Sequence, residues 1–113
     1  MSKTIQGFLD EVRRAARSAF PGAALDYTVV RLTHLRLRIT INEETLVDVY
    51  FNEETQRTDY ALIHRGERVY GVDNLKGWHY HPFRTVEQHL PCPEPSVLKV
   101  FEEMKGIVET LSV

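Results

Sequence analysis

Leu35, Leu37, Ile39 and Ile41 alternate with His34, Arg36, Arg38 and Thr40, and no other feature of this chain limits its fold more. Successive side chains of an extended segment point to opposite faces, so this stretch is a strand with one apolar face on a core and one polar, basic face away from it. Such a strand needs partners. Candidates are Leu25 to Leu32, Thr45 to Phe51, Thr58 to Arg65 and Arg68 to Val72. Three of the connections are short polar turns, Asn42-Glu43-Glu44, Asn52 to Gln56 and Arg65-Gly66-Glu67, and turns this short join antiparallel neighbours. Arg31 to His34 lacks the Gly or Asn-Gly of a tight hairpin, which leaves the first connection open.

On either side of these strands the apolar period changes. From Ser2 to Ala19 the residues Ile5, Phe8, Leu9, Val12, Ala15, Ala16 and Ala19 recur at three- and four-residue steps, the period of one helical face, and Phe20-Pro21-Gly22 stops it. Val97, Val100, Phe101, Met104, Ile107, Val108 and Leu111 repeat in the same way after the stiff connector Pro91 to Pro95. Thr85-Val86-Glu87-Gln88 has the hydroxyl and the Gln of a capping box and predicts a short helix. The expected fold is therefore α+β, an antiparallel sheet of about five strands with the N- and C-terminal helices packed on one face. It forms a single domain over residues 1–113.

Composition sets the remaining bounds. Hydrophobic residues at 42% and charged residues at 27% fit a folded domain and not a disordered one. The one cysteine, Cys92, has no intrachain partner, the first thirty residues lack a secretory pattern, and no apolar run approaches the roughly 20 residues of a membrane span. A cytoplasmic protein that does not contact membrane is expected. A net charge of −2 gives no global attraction to nucleic acid, so any such role needs a local basic surface. Neither terminal helix clearly shows an apolar stripe wider than one helix needs, and a homodimer is left open.

Chemistry is concentrated between Val72 and Phe83, where Asp73, Asn74, Lys76, Trp78, His79, Tyr80 and His81 follow closely. If His79 to His81 is extended, both imidazoles project to the same side, about two strand steps of roughly 3.3 Å apart. Asp73 and Asn74 close the preceding strand and can turn the backbone while presenting an acceptor. Three uses stay open. His79, His81 and Asp73 have the donor types of a zinc- or manganese-type site, although a His-x-His pair is a weak signal. Paired histidines also suit acid–base cleavage of RNA, one taking the ribose 2′-hydroxyl proton and the other protonating the leaving oxygen. Arg65, Arg68, Lys76 and Arg84 would then hold phosphate, with Trp78, Tyr80 and Phe83 stacking on bases. In the third, non-catalytic use, the aromatic and basic residues grip RNA or a partner protein, or simply serve as core, lid and loop residues. His34, His64 and His89 sit where exposed polar residues are expected and receive no role, and Cys92 is expected to be inert.

Asp59-Tyr60 on one strand, Arg68-Val69-Tyr70 on the next, Tyr-x-x-Asp-Asn at Tyr70 to Asn74 and His-x-His at His79 to His81 ahead of Phe83 form an ordered set. From about Thr45 to Leu90 the chain resembles the TumE-type toxins of bacterial and archaeal toxin–antitoxin pairs. The resemblance implies a cytoplasmic toxin acting on RNA and neutralised by a cognate antitoxin protein. It places Asp73, Asn74, His79 and His81 in the catalytic set, with Tyr60 and Arg65 nearby. The leading expectation is a metal-independent ribonuclease without a cofactor, whose substrate-binding residues are Tyr60, Arg65, Arg68, Tyr70, Lys76, Trp78 and Arg84. A metal-dependent hydrolase and a non-catalytic binding module are the alternatives.

Overall fold

The computed structural model describes residues 2–112. Its elements run α1 (Ile5–Ala19), β1 (Ala24–Val30), β2 (His34–Asn42), β3 (Thr45–Asn52), β4 (Thr58–His64), β5 (Glu67–Asp73), β6 (His79–His81), β7 (Leu90–Pro91) and α2 (Val97–Leu111). The seven strands form one antiparallel sheet in which every strand lies beside its neighbours in sequence. The fold is thus α+β with a helix at each end of the chain, and the sheet is two strands wider than expected. β6 and β7 are too short to show a period in sequence. Pairing of His79 with Asp73 and of His81 with Gly71 makes β6 a strand.

Both helices lie on one face of the sheet. Leu35, Leu37, Ile39, Val47, Val49, Phe51, Tyr60, Leu62, Tyr70 and Val72 are buried there with Phe8, Leu9, Val12, Ala15 and Ala16 of α1 and Val97, Val100, Phe101 and Met104 of α2. The Phe8 ring stacks on Phe51 at 4.6 Å, and Phe101 meets Tyr60 edge-on at 6.5 Å. Such pairs add about 0.5–1.5 kcal/mol each beyond the area they bury.

Local chemistry sets the element boundaries. α1 starts at Ile5 and not Ser2, because Thr4 Oγ1 accepts the Gly7 N–H at 3.0 Å as an N-cap. The N–H groups of Lys3 and Ile5 donate to Gln56 Oε1 and Glu53 Oε1, so the β3–β4 turn anchors the start of the helix. The β1–β2 connection is a tight hairpin after all. Arg31 and Leu32 occupy the left-handed region at φ 54° and 61°, a conformation normally given to Asn-Gly, and Thr33 N–H donates to Val30 O.

The short helix expected at Thr85 to Gln88 is absent and needs correcting. Two successive turns stand there, with Thr85 N–H on Pro82 O at 3.2 Å and Gln88 N–H on Thr85 O at 2.9 Å. Between Pro82 and Pro91 the chain is too short to repay helix nucleation, and the hydroxyl-to-Gln spacing makes a turn instead.

Among the described residues, the opposite face of the sheet carries no helix. Cross-strand pairing aligns Thr28, Arg36, Tyr50, Asp59, Asp73 and His79 in one row, and Asp26, Arg38, Asp48, Ala61, Gly71 and His81 in the next. Residues in register share a face, so the two histidines end a polar band that crosses the whole sheet. No helix among the described residues is long and apolar enough to cross a membrane.

Candidate functional site

β5 and β6 bring Asp73, His79 and His81 to one side of the sheet, as the extended reading of His79 to His81 requires. Asp73 Oδ1 accepts the Leu75 N–H at 3.0 Å, which turns the chain out of β5 and fixes the carboxylate. Its other oxygen, Oδ2, lies 3.3 Å from His79 Nε2 and 3.3 Å from His81 Nε2. Each ring is held from behind by a backbone carbonyl, His79 Nδ1 by Gly77 O at 3.1 Å and His81 Nδ1 by Val86 O at 3.2 Å. His81 is buried at 2% exposure and His79 is half-buried, so the cluster opens to solvent on the His79 side.

A third imidazole completes the cluster. β7 pairs with β6 through Tyr80–Leu90 and His79–Pro91, and the next position outward in that register sets His89 opposite His81. The His89 ring centroid is 4.4 Å from that of His81 and 5.1 Å from that of His79. His79, His81 and His89 offer ligand atoms that all lie within 4.8 Å of one another. Sequence reasoning missed His89 because Thr85 to Gln88 read as a helix. Had Pro82 to Gln88 been read as a hairpin loop, His81 and His89 would have faced each other.

Gly71 makes room for this arrangement. A Cβ there would stand 3.4 Å from His81 Cδ2, 3.2 Å from the backbone oxygen of Tyr60 and 3.5 Å from Arg68 Cδ. The imidazole therefore rests on bare backbone, and the Arg68 stem runs beside it. Across β4, burial raises the Asp59 carboxyl above its ordinary value and the Asp73 charge adds to this, while Arg57 and Arg68 oppose it. Arg57 Nη2 lies 3.5 Å from Asp59 Oδ2.

Beyond Asp59 the polar band deepens into an open trough of about 610 Å³ lined by Asp26, Thr28, Arg36, Tyr50, Arg57 and Asp59, among others. The Arg36 guanidinium stands 5.0 Å over the Tyr50 ring. The sequence places Arg36 and Arg38 on the polar, basic face of their strand, and the register puts that face on the same side as the histidines.

Other residues named from the sequence lie elsewhere. Asn74 adjoins Asp73, but its Oδ1 accepts the Thr58 N–H at 2.8 Å and its Nδ2 donates to Gln56 O at 2.9 Å. Both ends of that amide tie β5 to the start of β4. Tyr60 and Tyr70 are buried on the helix face, away from the histidines, and burial pushes both phenols well above the ordinary tyrosine range. Trp78 packs half-buried against the core. Arg65 is paired with Glu44 at the tip of the β4–β5 hairpin, at the far end of that hairpin from Asp73. Lys76 lies in the exposed turn before β6, and Arg84 covers the Phe83 ring in the β6–β7 loop. Of the basic residues proposed for phosphate, Arg68 is the one found by the site, its Cδ and His81 Cδ2 both flanking Gly71.

The chain matches no protein-family model, and comparison with curated proteins and with solved structures finds no match.

Proposed function

We propose that this protein is the toxin of a toxin–antitoxin pair and cleaves single-stranded RNA in the cytoplasm, at the centre built from Asp73, His79, His81 and His89. One observation carries the reading: a carboxylate and three imidazoles converge at the end of a polar, arginine-bearing trough that is open along its length. A substrate with a repeating phosphate and flat bases fits that surface. Arg36 over Tyr50 offers a charged, stackable platform, Arg57 a second cation, and Arg68 a guanidinium beside the centre to hold the phosphate under attack. The likeness of Tyr70 to Asn74 and His79 to His81 to the TumE pattern supports the toxin assignment.

The two imidazoles share the acid–base work. Each Nδ1 is held by a backbone carbonyl, so a neutral ring keeps its lone pair at Nε2 beside Asp73. One histidine takes the proton of the attacking 2′-hydroxyl, the other gives a proton to the leaving oxygen, and Arg68 supplies charge to the phosphate.

The test is expression of the chain alone and together with its neighbouring gene, scoring growth and RNA integrity, followed by assay of the purified protein on single-stranded RNA. The wild type arrests growth and cuts RNA, His79→Ala lowers cleavage by about a hundredfold or more, and Arg68→Ala lowers it by about tenfold to a hundredfold. Intact RNA with folded wild-type protein refutes the proposal.

A further inference from the structure

The hydrogen-bond pattern around His79 and His81 leaves a chemical conflict. Gly77 O and Val86 O can only accept, so each Nδ1 carries a proton, and a neutral imidazole then has its lone pair at Nε2. Yet both Nε2 atoms face the same oxygen of Asp73, another acceptor. Two nitrogen lone pairs and a carboxylate oxygen thus converge on one point, an arrangement that a cation among the three atoms satisfies.

Two observations favour the cation. The contacts of 3.3 Å are long for a charge-assisted hydrogen bond, which closes to about 2.7–2.9 Å. They equal, however, the edge of a tetrahedron of ligands around a zinc-type ion, since bonds of about 2.0–2.1 Å put neighbouring ligand atoms about 3.3 Å apart. His89 is exposed, follows a loop of turns and brings a third imidazole whose ligand atom lies within 4.8 Å of those of His79 and His81.

We infer that His79, His81, Asp73 and His89 form a binding site for one divalent ion of the zinc type. The Nδ1–carbonyl bonds fix both rings with Nε2 inward, and the Leu75 N–H fixes Asp73 with one oxygen inward, the outer-shell support that metal-ligating histidines and carboxylates require. Three imidazoles and one carboxylate oxygen select zinc over magnesium or calcium, which take oxygen ligands. Being exposed, His89 is the ligand that an incoming water or phosphate can most readily displace. Metal binding at this centre goes beyond the RNA reading and stands without it.

Untagged full-length protein, stripped with chelator and dialysed, is titrated with zinc chloride by calorimetry, with magnesium chloride in parallel. One zinc binds per chain, magnesium does not compete, His89→Ala weakens zinc binding by about tenfold to a hundredfold, and the control His34→Ala leaves it unchanged. His89 is exposed, so its variant keeps the fold, as circular dichroism verifies, whereas buried His81 is a less safe target. Absence of saturable zinc binding by the wild type, or full affinity in both His89→Ala and His79→Ala, overturns the site. RNA cleavage assayed on the same samples separates the two proposals. Zinc bound without cleavage upholds the site and refutes the RNA reading, while cleavage by stripped protein that binds no zinc does the reverse.

Discussion

Replacing Gly71 by alanine adds one methyl group at the most crowded point of the centre. Gly71 does not need positive φ, so the backbone accepts the change, and loss of the glycine's unfolded-state freedom favours the variant by about 0.5–1 kcal/mol. Against this, the new Cβ would lie 3.2 Å from the Tyr60 carbonyl oxygen, tighter than nearly all real contacts, so that neighbour must give by a few tenths of an ångström. That oxygen is backbone and cannot rotate away. β4 and β5 must therefore part slightly, an overpacking cost of about 1–3 kcal/mol. The net expectation is a loss of about 1 kcal/mol, read in a thermal melt as a fall in Tm of about 4 °C for a domain of this size. The same methyl meets His81 Cδ2 at 3.4 Å, an ordinary contact, so the ring is disturbed through the parting of β4 and β5, which shifts Asp73 beneath it, and zinc affinity falls by about tenfold. A variant that melts at or above the wild-type temperature would show that the close approach of β4 is not there. Unchanged zinc affinity in a destabilised variant would show that His81 does not depend on bare backbone for its position.

Two further outcomes follow. Asn74→Ala removes two side-chain bonds to the backbone and should lower stability by about 1–3 kcal/mol in a denaturant titration while leaving the zinc affinity of the folded fraction intact, which distinguishes a latch between strands from a catalytic amide. Tyr60 and Tyr70 are held un-ionised by burial, so the stability they contribute is complete below the ordinary tyrosine pKa of about 10 and is lost as pH rises above it, by up to about 1.4 kcal/mol per pH unit for each phenol. Absorbance at alkaline pH should show these two phenols ionising together with unfolding, and Tyr70→Phe should shift that unfolding to higher pH. Equal alkaline stability of wild type and variant would contradict the burial argument.

Much of this architecture was legible because sheet and helix periods are long-range patterns carried by many residues. The alternation from Leu35 to Ile41 and the helical spacing of Ile5 to Ala19 and Val97 to Leu111 each involve several side chains that must all be buried, and each element lies where expected. β6 and β7 were illegible for the opposite reason. Two or three residues carry no period, and what makes them strands is pairing with β5 and with each other. His-x-His and Asp73 were readable as one group because alternation fixes their side. His89 depended on a loop conformation that a local capping pattern misdescribed. Tyr60 and Tyr70 were drawn toward the site by the resemblance to the TumE pattern, yet in a strand adjacent residues face opposite ways, and Asp59 and Asp73 took the open face instead.

Because each strand of the sheet pairs only with those before and after it in sequence, the ladder can zip up one hairpin at a time with little loop entropy to pay at any step. The costly closure is left to the ends of the chain, where α1 must meet α2 over the finished sheet. The refolding rate should respond more strongly to changes at the contact between Phe20, which caps α1, and Phe101 of α2 than to changes in the turns, and the histidine centre, drawn wholly from β5 to β7 and the loops between them, can take shape before the two helices meet.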